Sequence, residues 1–183
     1  MRQLTFLDVN QDRWSDFERL FETRGAPKSC WCMVWRARGE ETKRIQGPDR
    51  KQAISRRVRE GVPIGLLGYL DGLPVAWCSI APRATYRPLS GPALPNEAED
   101  EIWSLVCFFI TRALRGEGMT TQLIQAAATH ARSKGARILE AYPVQHGSPS
   151  YRFMGYVPTF ERAGFQHVGP AGSRRHVMRL DLG

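Results

Sequence analysis

The sequence predicts one mixed α/β domain spanning residues 1 to 183, with a central sheet and packed helices. Three observations carry this. Apolar residues at strand spacing and at helix spacing succeed one another along the whole chain, without repeats or low-complexity tracts. Two β-like runs flank Asp71-Gly72, a strong short hairpin signal. The run "EIWSLVCFFI" at 101 to 110 is almost unbroken in its apolar character and has strand length, as expected of a central strand covered on both faces.

The elements follow in order. "LTFLDV" (4 to 9) reads as a strand, and "DRWSDFERLFETRG" spaces Trp14, Phe17, Leu20 and Phe21 as a helix closed by Gly25. "GPDRKQAISRRVREG" (47 to 61) predicts a second helix, with Pro48 in its first turn and Ala53, Ile54 and Val58 on one side. Strands are expected near 64 to 70 and 73 to 81. The Pro- and Gly-rich stretch at 85 to 100 interrupts any period and reads as a loop long enough for a functional flap. After the central strand, 120 to 134 carries a helical stripe of Leu123, Ile124, Ala127, Ala128 and Ala131, stopped by Gly135. "ARILEAYPV" (136 to 144) is a strand, "VPTFERAG" a short helix, and "RRHVMRLDL" a closing strand.

Composition narrows the function classes. With 42% hydrophobic and 24% charged residues the chain has globular composition, and its net charge of +8 favours anionic partners. The N-terminus has no sustained apolar h-region and no run reaches eighteen apolar residues, so a cytoplasmic protein without a membrane span is expected. Four cysteines at 30, 32, 78 and 107 read as reduced thiols. The histidines at 130, 146, 167 and 176 show no metalloenzyme spacing. The basic segment 43 to 59 invites a nucleic-acid reading, but it lacks interleaved aromatics and any helix-turn-helix or zinc-finger pattern, which leaves a solvated helix face as the better account.

The chemistry-bearing segment is "FFITRALRGEGMTTQLIQAA" (108 to 127). A strand that ends in a glycine turn opening a helix presents unpaired N–H groups and the positive end of the helix dipole, which suits phosphate. Arg115 adds a permanent charge. The same turn also fits an ordinary strand-to-helix connection. No G-x-x-x-x-G-K-[ST] is present, and "GEGMTT" lacks the third glycine of a dinucleotide fingerprint.

On "FFI" at 108 to 110, followed five residues later by "RGEGMT" (115 to 120), the chain resembles the GNAT superfamily of acyl-CoA-dependent N-acyltransferases. "YVPTFERAGF" (156 to 165) echoes that family's terminal pattern. The resemblance implies a mixed, mostly antiparallel sheet flanked by helices on both faces. It implies acetyl-CoA as co-substrate, no metal, and transfer of an acetyl group to the amine of a small molecule or peptide by direct attack. It places the backbone of Phe108, Phe109 and Ile110 against the pantetheine arm. Arg115, Gly116, Glu117, Gly118, Met119, Thr120 and Thr121 would cradle the pyrophosphate.

Thr120 stands where the family keeps Gly or Ala, and Phe160 where many members have a Tyr that protonates the leaving thiolate. These departures keep open a non-catalytic acyl-CoA-binding module with the same fold. The candidate base is Glu101, which shares strand parity with Trp103, Leu105 and Cys107. Tyr156, Tyr142 and Tyr151 are candidate acids, and Cys107 is an alternative nucleophile. "SCWCMVWR" (29 to 36) corresponds to the acceptor pocket, where Trp31, Cys32 and Trp35 would touch the substrate; a Cys₄ zinc site or plain core packing are its other readings. A homodimer stays open.

Overall fold

The computed structural model describes residues 2–44, 46–93 and 101–183. Seven strands form one sheet in the order β1-β2-β3-β4-β5-β7-β6. They are β1 (Thr5–Asp8), β2 (Leu66–Leu70), β3 (Leu73–Pro82), β4 (Ile102–Ile110), β5 (Ile138–Ala141), β6 (Gln166–Ala171) and β7 (Arg175–Asp181). Every neighbouring pair is antiparallel except β4 and β5. The helices are α1 (Trp14–Glu22), α2 (Gly47–Arg59), α3 (Met119–Ser133) and α4 (Val157–Arg162).

Alternation along the strands sends side chains to two cores. Phe17, Leu20 and Phe21 of α1 and Ile54 and Val58 of α2 pack with Trp77 and Val106 on one face. Leu123, Ile124, Ala127 and Ala131 of α3 and Phe160 of α4 pack with Cys78, Ile80 and Leu105 on the other. Helices therefore cover both faces of the sheet, as the sequence predicts.

The structure adds one strand that the sequence reading omits. β6 is broken by a register shift between His167 and Gly169 and contains Pro170, so its alternation is too short to read. β5 is shorter than 136 to 144, because the chain leaves the sheet after Ala141 and makes only single bridges at Val144. Of the expected flap, 94 to 100 lies outside the described residues.

β4 carries the feature that shapes the site. Its register with β3 pairs Ser79 with Cys107 but Ile80 with Leu105, so Val106 is an extra residue in a β-bulge. Trp103 and Leu105 consequently face one core, and Cys107 and Phe109 the other. Pairing with β5 stops at Leu105 and Ala141. From Val106 to Ile110 that edge of β4 has no strand beside it among the described residues.

The basic segment is largely paired. Lys51 Nζ lies 2.5 Å from Glu18 and 2.6 Å from Glu22, and Arg57 Nη2 lies 2.6 Å from Glu41 Oε2. The Arg57 hydrogen bonds, acting against partial burial, hold the Glu41 carboxyl below the usual carboxylate range. The folded state thus prefers the ionised form, so this contribution is complete above the unfolded value of about 4.3 and is lost as pH falls through the lower folded value. Glu41→Gln is expected to cost about 1–2 kcal/mol at pH 7 and progressively less as pH falls below the ordinary carboxylate range, read from urea midpoints across that range.

Candidate active site

A cleft of about 870 Å³ opens where β4 and β5 part. One wall is the free edge of β4, with Cys107, Phe108, Phe109 and Ile110. Arg115, Gly116 and Thr120 line its outer end, and Tyr156 and Thr159 of the α4 segment face them. Cys30, Cys32 and Trp35 form the opposite end. Two stretches far apart in sequence, "SCWCMVWR" and the continuous segment that carries "VCFFI" and "RGEGMT", thus meet in one cavity.

The helix mouth fits an anionic ligand. Gly116 and Gly118 have φ of 84° and 78°, left-handed conformations that glycine adopts without strain. They turn the chain so that the amides of Gly116, Glu117, Gly118, Met119 and Thr120 have no acceptor among the described residues. The amides of Thr121 and Gln122 instead reach Gly118 O at 3.1 and 3.4 Å. Arg115 folds back so that its Nε donates to Ile110 O at 3.0 Å, which ties the guanidinium to the end of β4. Thr120 lines the cavity, and a β-branched residue is accommodated there without a backbone cost because it already lies in α3. Met119 is core, 1% exposed, and Glu117 faces Arg2 at 3.9 Å.

The proposed proton-transfer residues separate. The bulge at Val106 breaks the parity that would align Glu101 with Cys107. Glu101 instead sits at the far end of β4, its carboxylate 3.6 Å from the Arg137 guanidinium, and outside the cleft wall. Tyr142 is fully buried and hydrogen-bonded to Glu140 and, at 3.2 Å, to Ser104. Tyr156 does line the cleft, with His146 stacked on its ring at 4.3 Å. Phe160, with no exposure, belongs to the core. Trp31 lies behind the wall, stacked on Phe21 at 5.4 Å, while Cys32 and Trp35 reach the cavity.

Sequence reasoning misses Arg50 and Arg152, which complete the acceptor end together with Tyr151, read from the sequence only as a candidate acid. Arg50 is four residues into α2 and Arg152 lies in a turn after β5, so no local spacing marks either. Among the described residues no group of three His, Cys, Asp or Glu side chains is placed to hold a metal ion, and no helix is long and apolar enough to cross a membrane.

Thiol environments differ sharply around the cleft. Trp77 Nε1–H donates to Cys32 Sγ at 3.1 Å. The neighbouring Cys107 thiol, the Trp77 N–H and the charge of Arg36 together outweigh burial and hold Cys32 below the ordinary thiol range. The Cys32 sulfur beside it, with burial, pushes Cys107 well up. Burial raises Cys30, and pushes Cys78, in the other core, up to about 12.

Comparisons with known proteins agree with this fold. The profile of the Acetyltransferase (GNAT) family matches residues 7–156. A search of curated proteins finds no match. Among solved structures, an N-acetyltransferase from Staphylococcus aureus Mu50 is 16% identical, with 99% of each chain covered and a TM-score of 0.58. The paiA N-acetyltransferase from Thermoplasma acidophilum, in complex with coenzyme A, is 11% identical over 98% of this chain and 99% of its own, with a TM-score of 0.57. AAC(6')-Ib, in complex with paromomycin and acetyl-CoA, is 15% identical over 98% of this chain and 93% of its own, with a TM-score of 0.61. At these identities the structures speak to the fold, and the profile, which spans most of the chain, speaks to descent. The chain belongs to the GNAT acetyltransferase family.

Proposed function

We propose that this protein transfers an acetyl group from acetyl-CoA to the amine of a small molecule or peptide, by direct attack of the amine on the thioester. The observation that carries the reading is the single cleft in which the free edge of β4 runs from Cys107 toward the unpaired amides at the mouth of α3. An extended amide-bearing arm can pair with that edge as an added strand would, and a pyrophosphate suits the bare N–H groups and Arg115. Coenzyme A has both parts in that order, and it is bound in the Thermoplasma relative of the same fold. When bound, the thioester supplies an electrophilic carbonyl. The chain's own residues hold it at β4, exclude water with Phe108, Phe109 and Trp35, and seat the acceptor among Cys30, Cys32, Trp35 and Tyr151.

Acetyl-CoA is expected to raise the melting temperature. At a hundred times its Kd it adds about 2.7 kcal/mol, which for a chain of this length corresponds to about 5–10 °C. Arg115→Ala is expected to weaken binding about 10- to 100-fold, the loss of a charge-assisted contact to phosphate, measured by titration calorimetry. No thermal shift with any acyl-CoA would refute the reading.

One observation favours a second reading, an acyl-CoA-binding module without turnover. None of the described residues lining the cleft is Asp, Glu or His. Release of free thiol from acetyl-CoA in the presence of a panel of amines separates the two.

A further inference from the structure

Direct attack requires a proton acceptor, because an ammonium group has no lone pair. The described wall of the cleft offers no carboxylate or imidazole, but it does offer three thiols, Cys30, Cys32 and Cys107. Cys32 is set apart from the others by three features of its surroundings.

The first is a directed donor. An indole N–H has no acceptor capacity, and that of Trp77, which is fully buried, spends its one hydrogen on Cys32 Sγ. The second is an unbalanced charge. Arg36, four residues downstream, has no exposure and donates to Ile64 O at 2.8 Å, Ser79 Oγ at 3.0 Å and Tyr86 OH at 2.7 Å, all neutral acceptors. It makes no ion pair with a carboxylate among the described residues, and its Nε has no acceptor. A cation so placed is costly unless a negative charge lies close by. The third is the backbone. Trp31 and Cys32 have φ of 46° and 52°, two successive left-handed residues that are not glycine. Such conformations are kept where the surrounding structure imposes them, and they concentrate at functional sites.

We infer that Cys32 stands at the cleft wall as a thiolate, balanced by Arg36 and Trp77, and accepts a proton from the acceptor amine. This rests on the acyltransferase reading. The titratable and charged groups on its side of the sheet are Cys30 and Arg36 from its own turn, Tyr86 from the segment after β3, and Cys107 from β4, while Cys78 of β3 belongs to the opposite core. Burial raises Cys30, Cys78 and Tyr86, and the neighbouring Cys32 sulfur with burial raises Cys107, so each of these keeps its proton near neutrality.

The balance of the step is simple. One ammonium proton passes to Cys32 Sγ, and the freed lone pair forms the C–N bond as the C–S bond to coenzyme A breaks. The second N–H proton ends on the coenzyme A sulfur, and Cys32 returns its own proton to solvent. Cys32 forms no bond to carbon.

Two measurements on the intact protein test this. The first is alkylation of Cys32 by iodoacetamide, followed by peptide mass spectrometry from pH 5 to 10 without acetyl-CoA. Half-maximal reactivity is expected below the free-thiol value of about 8.5 in the wild type and at higher pH in Trp77→Phe. A Cys32 that reacts like a free thiol, or only at higher pH, overturns the proposal. The second is the pH profile of kcat/KM for thiol release with a panel of primary amines. Cys32→Ser is expected to lower kcat/KM about 10²- to 10⁴-fold and to remove the acidic limb.

An unchanged profile overturns the role, and so does an acetyl group accumulating on Cys32 when no amine is present. If acetyl-CoA does not bind, or no amine is acetylated, the acyltransferase reading falls and this role falls with it. Bound acetyl-CoA beside an ordinary Cys32 thiol sinks this proposal alone.

Discussion

Gly65→Ala is expected to destabilise the fold by more than about 4 kcal/mol, a size reserved for substitutions the structure has no room to absorb. Gly65 enters β2 with φ of 155°, a conformation that side chains rarely adopt. A methyl group there would lie 2.1 Å from the Cys78 carbonyl oxygen and 2.5 Å from the Trp77 ring. Neither neighbour can retreat. Cys78 O belongs to the β2–β3 ladder, and Trp77 is wedged against Phe17 at 4.8 Å and Phe21 at 5.8 Å. For a chain of this length the loss corresponds to a fall in melting temperature of about 8–16 °C, checked by calorimetry. The displaced indole would also withdraw its hydrogen bond from Cys32, so the fraction that stays folded is expected to show slower alkylation at that sulfur near neutral pH.

Glu140→Gln is expected to cost about 3–5 kcal/mol. Glu140 is 1% exposed in β5, where its Oε2 accepts from Arg179 Nε at 2.7 Å while Oε1 accepts from Tyr142 and lies 3.7 Å from Arg83. Deleting this charge leaves Arg179, nearly buried, without a carboxylate partner among the described residues. Removing both partners as Glu140→Leu with Arg179→Met is expected to recover most of the loss, because the stranded cation is gone. Denaturant midpoints of the single and double variants check the pair. If the double variant is as unstable as the sum of its singles, the interaction is not what holds this part of the sheet.

The fold was largely legible because its signals are local. Asp71 and Gly72 both take positive φ in the turn between β2 and β3, and Pro48 and Gly135 mark helix ends that the structure keeps within a residue or two. The glycine turn at the mouth of α3 was legible for the same reason, since Gly116 and Gly118 encode their backbone directly. Parity was not. A single extra residue, Val106, reverses which face later side chains take, and a bulge leaves no mark in a run as uniformly apolar as "LVCFFI". Glu101 was therefore read toward the face of Cys107, and it ends beside Arg137. Cys32 illustrates a different limit. Its distinctive surroundings come from Trp77, 45 positions away, and from Arg36, whose burial among Ile64, Ser79 and Tyr86 exists only in the folded chain.

The unpaired half of β4 has a further consequence, which concerns self-association. A bare strand edge on a protein surface invites another chain to add itself, and proteins guard such edges with charge, bulges or short length. Here the edge is apolar, but it lies between the β1–β4 half of the sheet and the β5–β7 half, within a cleft walled by Tyr156, Thr159 and Cys107. A foreign strand arrives with neighbours and side chains on both of its faces, and the walls turn it away. A single slender arm passes. The parting of the sheet thus sets a width, leaving the polar backbone of β4 open to a thin guest and the gap too narrow for a strand that carries its own sheet.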